Sequence, residues 1–407
     1  MHAITLEDAL FFIVPVRFKI STGIAISSSH HVVVVKRGDK SGVGEGFSHL
    51  HRAMSFLKRH ADKLLNLASK YDFEGLRDIA RIGKLRLPMA LEMALLDLSA
   101  KEEGLGACEL MGRPVRKKVR VFRTIPLGRK DEVVRIASRL ASEGWGIKLK
   151  IGMGAEPDLE LVKAVRGAVG PDVPLIVDVN QAYPPGVALR LLRRMERYGL
   201  YSIEQPCFRT DLRAHSVLKK ALDTPIMLDE SVRDVEELEK AVEAGAIDVL
   251  NLKICRVGGL FRALNILEAC VDMGVRLYIG TGRELGVGAA TLLHMASLIP
   301  EELFWGCEIG WWFFIGFDIL KRPLAFRNGE MEVPSGPGLG VEIADEAWLR
   351  RQVERRGGLF IKLENIGRMA RVKSMLLSAS ERLISLPWLL AKSYYSVNEL
   401  IAKMRGR

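Results

Sequence analysis

Between residues 119 and 310 the chain alternates short, nearly continuous apolar runs with amphipathic ones, and it does so eight times. The apolar runs are "VRVFRTI", "IKLKIG", "LIVDVN", "YSIEQP", "PIMLDES", "DVLNLKI", "RLYIGTG" and "FWGCEIG". The segments between them carry a helical repeat. In "DEVVRIASRLASEG", Val133, Ile136, Ala137 and Leu140 fall at i, i+3, i+4 and i+7, with Asp131 placed to cap the start and Gly144 to stop the end. Strands that are apolar on both faces and joined by helices make a parallel sheet covered on both sides. Eight such units predict a closed (β/α)8 barrel rather than an open sheet.

The first 117 residues follow a different pattern. "FFIVPVRFKI", "HHVVVVKRG" and "KSGVGEGF" read as strands and a hairpin with a glycine-rich turn, and residues 51 to 105 read as helical, ending in "MALEMALLDLSAKEEG". This predicts an α+β capping domain over 1–117, a (β/α) barrel over 118–348 and a helical extension over 349–407. The stretch 303–320, "LFWGCEIGWWFFIGFDIL", approaches the length of a membrane span but holds Glu308 and Asp318, so it reads as buried protein.

The net charge of +11 suggests nucleic acid or membrane until it is located. Residues 350–407 hold 13 Lys and Arg against 4 Asp and Glu, which leaves +2 for everything before them. The body is nearly neutral, and the basic tail is a separate question. Within the tail, Leu363, Ile366, Met369, Val372, Leu376 and Ala379 recur at helical spacing opposite Arg368, Arg371 and Lys373. The expectation is a helical hairpin packed on its own barrel or on a neighbouring subunit of a homo-oligomer; the alternative is an amphipathic contact with an anionic membrane or nucleic acid. Five cysteines without paired spacing, and no N-terminal signal pattern, make a cytoplasmic protein the expectation.

The strand ends carry the chemistry. Lys150 ends the second barrel strand, Asp178 the third, Glu204 the fourth, Asp229 the fifth and Lys253 the sixth, at intervals of 28, 26, 25 and 24 residues. Each interval is one strand–helix unit, so the five groups reach the same rim on adjacent strands, where barrel enzymes build their active sites. Three converging carboxylates repel one another unless a cation joins them, and a set of oxygen ligands without His or Cys suits Mg²⁺. Lysines beside other cations and partly desolvated have lowered pKa values and can act as bases. Lys148 lies on the same strand face as Lys150, because side chains two apart point together. It adds positive charge that favours a neutral Lys150 and can attract a carboxylate substrate.

The order K-x-K, D-x-N, E-Q-P, D-E-S and a sixth-strand lysine resembles the enolase superfamily, and within it the muconate-lactonizing-enzyme subgroup. The likeness runs from about residue 5 to 348 and includes "GVGEGF" and "PSGPGLGVEI". It implies an α+β cap on a modified barrel, and removal of a proton α to a carboxylate to form an enediolate held by Mg²⁺, with Mn²⁺ as a possible substitute. By match of motif, Lys150 and Lys253 would be the acid/base pair, Asp178, Glu204 and Asp229 the metal ligands, Asn180 and Glu230 supports behind them, and Lys148 an electrostatic helper.

Three details bear on the branch. The mandelate-racemase histidine at the end of strand seven is absent from "YIGTGRE", since His294 falls in a later helix. Strand eight, "CEIGWWFF", has Glu308 in place of the D-x-D of dipeptide epimerases, which looks more like the cycloisomerases. The specificity loop of the cap, residues 17–31, offers Arg17 and Lys19 as contacts for an anionic substrate. The expectation is therefore a Mg²⁺-dependent, muconate-cycloisomerase-like enzyme acting on a small carboxylate. N-acylamino acid racemisation, o-succinylbenzoate synthesis and dipeptide epimerisation are alternatives within the same chemistry. A non-catalytic barrel that binds partners through its basic tail is the alternative outside it.

Overall fold

The computed structural model describes residues 3–20, 23–47, 50–82 and 87–362, with the side chains of 17–20, 23–27 and 50–52 outside that description. Three antiparallel strands open the chain: β1 (Thr5–Ile20), β2 (Gly23–Arg37) and β3 (Lys40–Phe47). Residues 17–31, expected as a loop, are mostly the paired ends of β1 and β2, with Phe18 opposite Ala25 and Ile20 opposite Gly23. Helices α1 (Leu50–Ala68), α2 (Phe73–Arg81), α3 (Met89–Glu103) and α4 (Ala107–Met111) complete the cap. The glycines of "GVGEGF" have a packing reason. Gly42 and Gly44 share a face of β3, and a Cβ on either would collide with the backbone of α3 at Ala94 or Ala90.

The barrel follows as β4 (Lys118–Ile125), α5 (Lys130–Ser142), β5 (Gly146–Lys150), α6 (Ala155–Val169), β6 (Leu175–Asp178), α7 (Pro185–Met195), β7 (Ser202–Glu204), α8 (Leu212–Ala221), β8 (Ile226–Leu228), α9 (Val235–Glu243), β9 (Val249–Leu252), α10 (Ile254–Val257), α11 (Leu260–Asp272), β10 (Arg276–Ile279), α12 (Gly286–Ala296) and β11 (Phe304–Glu308). All eight strands are parallel, and β11 pairs with β4 to close the ring. The eighth strand is followed by the four-residue α13 (Trp312–Ile315) rather than a full helix. Among the described residues no helix is long and apolar enough to cross a membrane.

Strand alternation sorts the barrel interior into two layers. Phe122, Ile176, Met227, Val249 and Tyr278 form a buried apolar plug. One strand step (two residues) further along the same faces stand Thr124, Asp178, Asp229 and Asn251, so the polar groups rest directly on that plug. Gly146 makes room for it, because a Cβ there would lie 2.6 Å from the Phe122 ring.

After the barrel, the hairpin β12 (Phe326–Arg327) and β13 (Glu330–Glu332) pairs with β4, and α14 (Glu346–Glu354) leads to β14 (Leu359–Lys362). The helical extension expected from residue 349 is corrected here. Leu359–Lys362 add a fourth strand to the cap sheet, antiparallel to β1, where Phe360 stacks on Phe12 with ring centroids 6.5 Å apart. The free edge of β1 offers backbone partners that outweigh the local helical pattern. The helical pattern of residues 363–407 lies outside the described residues.

Buried carboxyl groups join cap to barrel by capping helices. Glu92 of α3 accepts from the backbone N–H of Leu260 and Phe261 at the start of α11. Glu45 of β3 accepts from Leu285 at 2.6 Å and Gly288 at 2.9 Å at the start of α12, and Asp318 accepts from Gly286 at 2.7 Å. Burial pushes Glu92 up to about 8, and Glu45 and Asp318 up to about 7. A carboxyl whose folded pKa is raised contributes stability in acid and loses it as pH rises through the folded value. The melting temperature is therefore expected to fall between about pH 4.5 and about pH 8, and Glu92→Gln to flatten that slope, each group contributing at most about 1.4 kcal/mol per pH unit. Calorimetry across that range checks it; a melting temperature that rises with pH would contradict it.

Candidate active site

Each functional side chain is delivered by the end of a barrel strand, and strand alternation turns it inward on the face of the plug, as Ile176 does for Asp178, Met227 for Asp229 and Val249, four positions earlier, for Lys253. Lys148 and Lys150 come from β5, Asp178 ends β6 and Glu204 ends β7, while Asp229 and Lys253 lie one residue past β8 and β9. The structure brings all six together. In a ring of eight strands the second and sixth are opposite, so Lys150 and Lys253 face each other across the three acids.

The lysines are paired individually. The Lys148 ammonium, fully buried, lies 2.8 Å from Glu204, 2.9 Å from Glu308 and 3.4 Å from Asp178, with the Tyr278 ring 5.8 Å away. Lys150 donates to Asp178 at 2.5 Å and to Asn180 Oδ1 at 2.9 Å. Lys253 donates to Asp229 at 2.8 Å.

The supporting residues lock this arrangement. The Asn180 side-chain amide donates to Glu230 at 3.4 Å, and its backbone N–H donates to Asp178 at 2.9 Å. Gln205 adopts a left-handed backbone (φ 40°), and its Oε1 accepts from the N–H of Asp229 and Ser231, so the glutamine of E-Q-P orients the acids of D-E-S. Glu308, expected as a substrate contact, is taken up by Lys148 and by the Thr124 hydroxyl. Arg17 and Lys19 fall in β1, with side chains outside the described residues.

Two residues that the sequence reading passed over complete the site. Arg256, three residues after Lys253 on α10, grips both oxygens of Asp229, at 2.7 and 3.1 Å. "KICRVGG" places it one turn past Lys253, which was the available signal. Asn251, inward-facing two positions before Lys253, donates to Glu204 at 2.8 Å.

The electrostatics correct one expectation. Burial alone would pull Lys253 down, but Asp229 and Glu204 outweigh it and hold the ammonium above its ordinary value. Lys148 is likewise held charged by Glu204, Glu308 and Asp178 against its burial. The lowering expected from neighbouring cations therefore fails at Lys253, whose charge is held by carboxylates. Asp178 is kept well below the usual carboxylate range, with Lys150 and Lys148 overcoming its burial. Glu204 goes the other way, pushed up to about 8 by burial and by Asp178. Lys148 serves three acids, and the surplus negative charge is relieved at Glu204.

This surplus is the test of fit for a metal ion. Among the described residues no three potential ligands already stand grouped as a cage, since the ammonium groups lie between them. The donor set nevertheless fits a hard dication. Asp178, Glu204 and Asp229 are fully buried on adjacent strands, and Glu204 Oε2 and Asp229 Oδ1 are held only by ion pairs of poor hydrogen-bond geometry, 2.8 Å from Lys148 and 2.7 Å from Arg256.

A family model described as Enolase C-terminal domain-like matches residues 132–347. The chain belongs to the enolase superfamily. Within it the chain falls in the muconate-lactonizing-enzyme subgroup, a group of isomerases and lyases, and it is an enzyme of that kind. It is 36% identical over 272 residues to an o-succinylbenzoate synthase of Geobacillus kaustophilus, covering 65% of this chain and 68% of that one. It is 37% identical over 265 residues to an N-succinylamino acid racemase of Thermus thermophilus, covering 63% and 69%. The crystal structure of a muconate lactonizing enzyme of Pseudomonas fluorescens, complexed with muconolactone, superposes with a TM-score of 0.76 at 28% identity, covering 86% of this chain and 99% of that one.

Removing Lys148 would leave the buried acids short of a countercharge. Lys148→Met is expected to destabilise the enzyme by about 3–5 kcal/mol in chemical denaturation. Unchanged stability would show that the ammonium is not what holds the carboxylates together.

Proposed function

We propose that this enzyme removes the proton α to the carboxylate of a small substrate, with Lys150 and Lys253 as the acid/base pair. The observation that carries this reading is the placement of two ammonium groups on opposite strands, with three buried carboxylates between them. A substrate seated between the lysines presents one face of its α-carbon to each. The lysine that stands as a neutral amine takes the proton and becomes an ammonium; the ammonium on the opposite face gives one back there for racemisation and becomes the amine, or stays a charged neighbour when a leaving group departs instead. Asp178, Glu204 and Asp229 would hold Mg²⁺, or Mn²⁺ in its place. Bound there, the dication would act as Lewis acid toward the substrate carboxylate and take over part of the countercharge that the lysines now supply. Glu230, Asn180, Gln205 and Arg256 fix the acids in place. Lys148 and Glu308 set the charge of the barrel interior beneath them.

The higher identity to an o-succinylbenzoate synthase and an N-succinylamino acid racemase favours dehydration or racemisation as the net reaction. Cycloisomerisation is the second reading, carried by Glu308 at the end of strand eight and by the muconate lactonizing fold neighbour. The test is hydrogen–deuterium exchange at the α-carbon in D₂O with Mg²⁺ present, followed by NMR on N-acylamino acids, with muconate turnover measured alongside. Exchange is expected with the N-acylamino acids. Lys150→Ala and Lys253→Ala should each lower it by about a hundredfold to ten-thousandfold with Mg²⁺ binding retained. Full activity in either variant would remove the two-lysine reading.

A further inference from the structure

Lys150 leaves its strand into a turn of unusual conformation. The Ile151 N–H still donates to the Asp178 carbonyl at 2.9 Å, but Gly152 and Gly154 then take positive φ, 123° and 134°, before α6 begins. The N–H groups of residues 152 to 154 are left outside strand and helix bonding, and buried side chains take all three. Asp158, on the first turn of α6, accepts from Gly152 at 2.6 Å on one carboxylate oxygen and from Met153 at 3.1 Å on the other. The Tyr183 hydroxyl accepts from Gly154 at 3.2 Å and donates to Asp158 Oδ2. Both side chains are buried, and burial raises both the carboxyl and the phenol, so the phenol keeps the proton it donates.

Tyr183 does not belong to that turn. It stands three residues past Asn180, on the loop that leaves β6. Asn180 and Gln181 are consecutive left-handed residues, φ 43° and 65°, a backbone that costs free energy and persists only where its surroundings hold it. The Gln181 N–H donates to the Gln205 carbonyl at 2.8 Å within the bend, and Tyr183 anchors the end of it.

The two loops carry the two halves of one contact. Lys150 precedes the first, and Asn180, whose amide oxygen accepts from the Lys150 ammonium at 2.9 Å, opens the second. The Asp158–Tyr183 bond therefore ties the backbone that follows the lysine to the backbone that follows its partner. Lys253 is held in another way, at the start of α10, where its carbonyl accepts from Arg256 at 3.0 Å and Val257 at 3.2 Å.

We propose that Tyr183 and Asp158 are positioning residues for Lys150. By closing the turn after β5 onto the loop after β6, they fix the approach of this amine to one face of the substrate α-carbon, and Lys253 on the other face does not depend on them. The inference rests on the two-lysine reaction proposed above. A pair that only supported the fold would affect both faces alike, which separates the two roles.

The test follows initial α-deuterium exchange by NMR on each enantiomer of N-succinylphenylalanine, in D₂O with the Mg²⁺-loaded enzyme. Lys150→Ala marks the enantiomer that Lys150 serves, the one whose exchange it removes. Tyr183→Phe takes away a single hydroxyl. It should lower kcat for that enantiomer by about tenfold to a hundredfold, with KM little changed, and leave the other enantiomer near the wild-type rate. Asp158→Asn, which keeps the shape of the side chain, should show the same bias. Melting curves establish that each variant folds, and Tyr183→Phe decides alone if Asp158→Asn does not. Equal losses on the two enantiomers, or no loss on either, would overturn the assignment and leave the reaction standing. Absence of exchange by wild type on both enantiomers would remove the reaction, and the assignment with it.

Discussion

The arrangement depends on one ammonium group. Lys148 lies inside the barrel, out of water, and its charge is shared by Glu204, Glu308 and Asp178, one from each of three strands. Without it, three carboxylates would face one another in a medium that screens poorly. With it they can be brought together, but not fully neutralised, and Glu204 bears the difference. The site is thus built with an appetite for one more positive charge at the place where the chemistry needs it. The apolar plug beneath is what makes this possible, because it keeps water from the underside of the charges and fixes the strand faces from which they project.

Much of this was legible in the sequence because barrels translate linear spacing into angular position. Once the eight apolar runs are recognised as strands, intervals near 25 residues place Lys150, Asp178, Glu204, Asp229 and Lys253 on one rim, and period two places Lys148 below Lys150. What escaped depends on partners far away in the chain. That Arg256 grips Asp229, that Asn251 reaches Glu204 and that Gln205 orients the next strand's acids are all contacts between strands, which no local pattern records. At Lys253 the pKa argument failed for the same reason, since it weighed cations against one another before the carboxylate partner Asp229 was known.

The departures in the cap have a similar origin. Leu359–Lys362 reads locally as the start of a helical tail but becomes a strand because β1 presents a free edge. Residues 17–31, expected as a loop from the resemblance, continue the β1–β2 pairing as far as Ile20 and Gly23. In contrast, "GVGEGF" carries a packing instruction that holds in three dimensions. Its glycines seat α3 on one face of β3, while Glu45 on the other face caps α12. Cap and barrel are therefore joined through buried carboxyl groups at helix starts, and this junction sets where the last two strand exits stand over the lysines.

The central claim is that Asp178, Glu204 and Asp229 form one cation site between Lys150 and Lys253. Anomalous diffraction from crystals soaked in Mn²⁺ tests it most directly. A single strong peak within coordination distance of all three carboxylates, lost in Glu204→Gln, is the result this account requires. A peak elsewhere, or three carboxylates that remain bound to their lysines at saturating Mn²⁺, would contradict it.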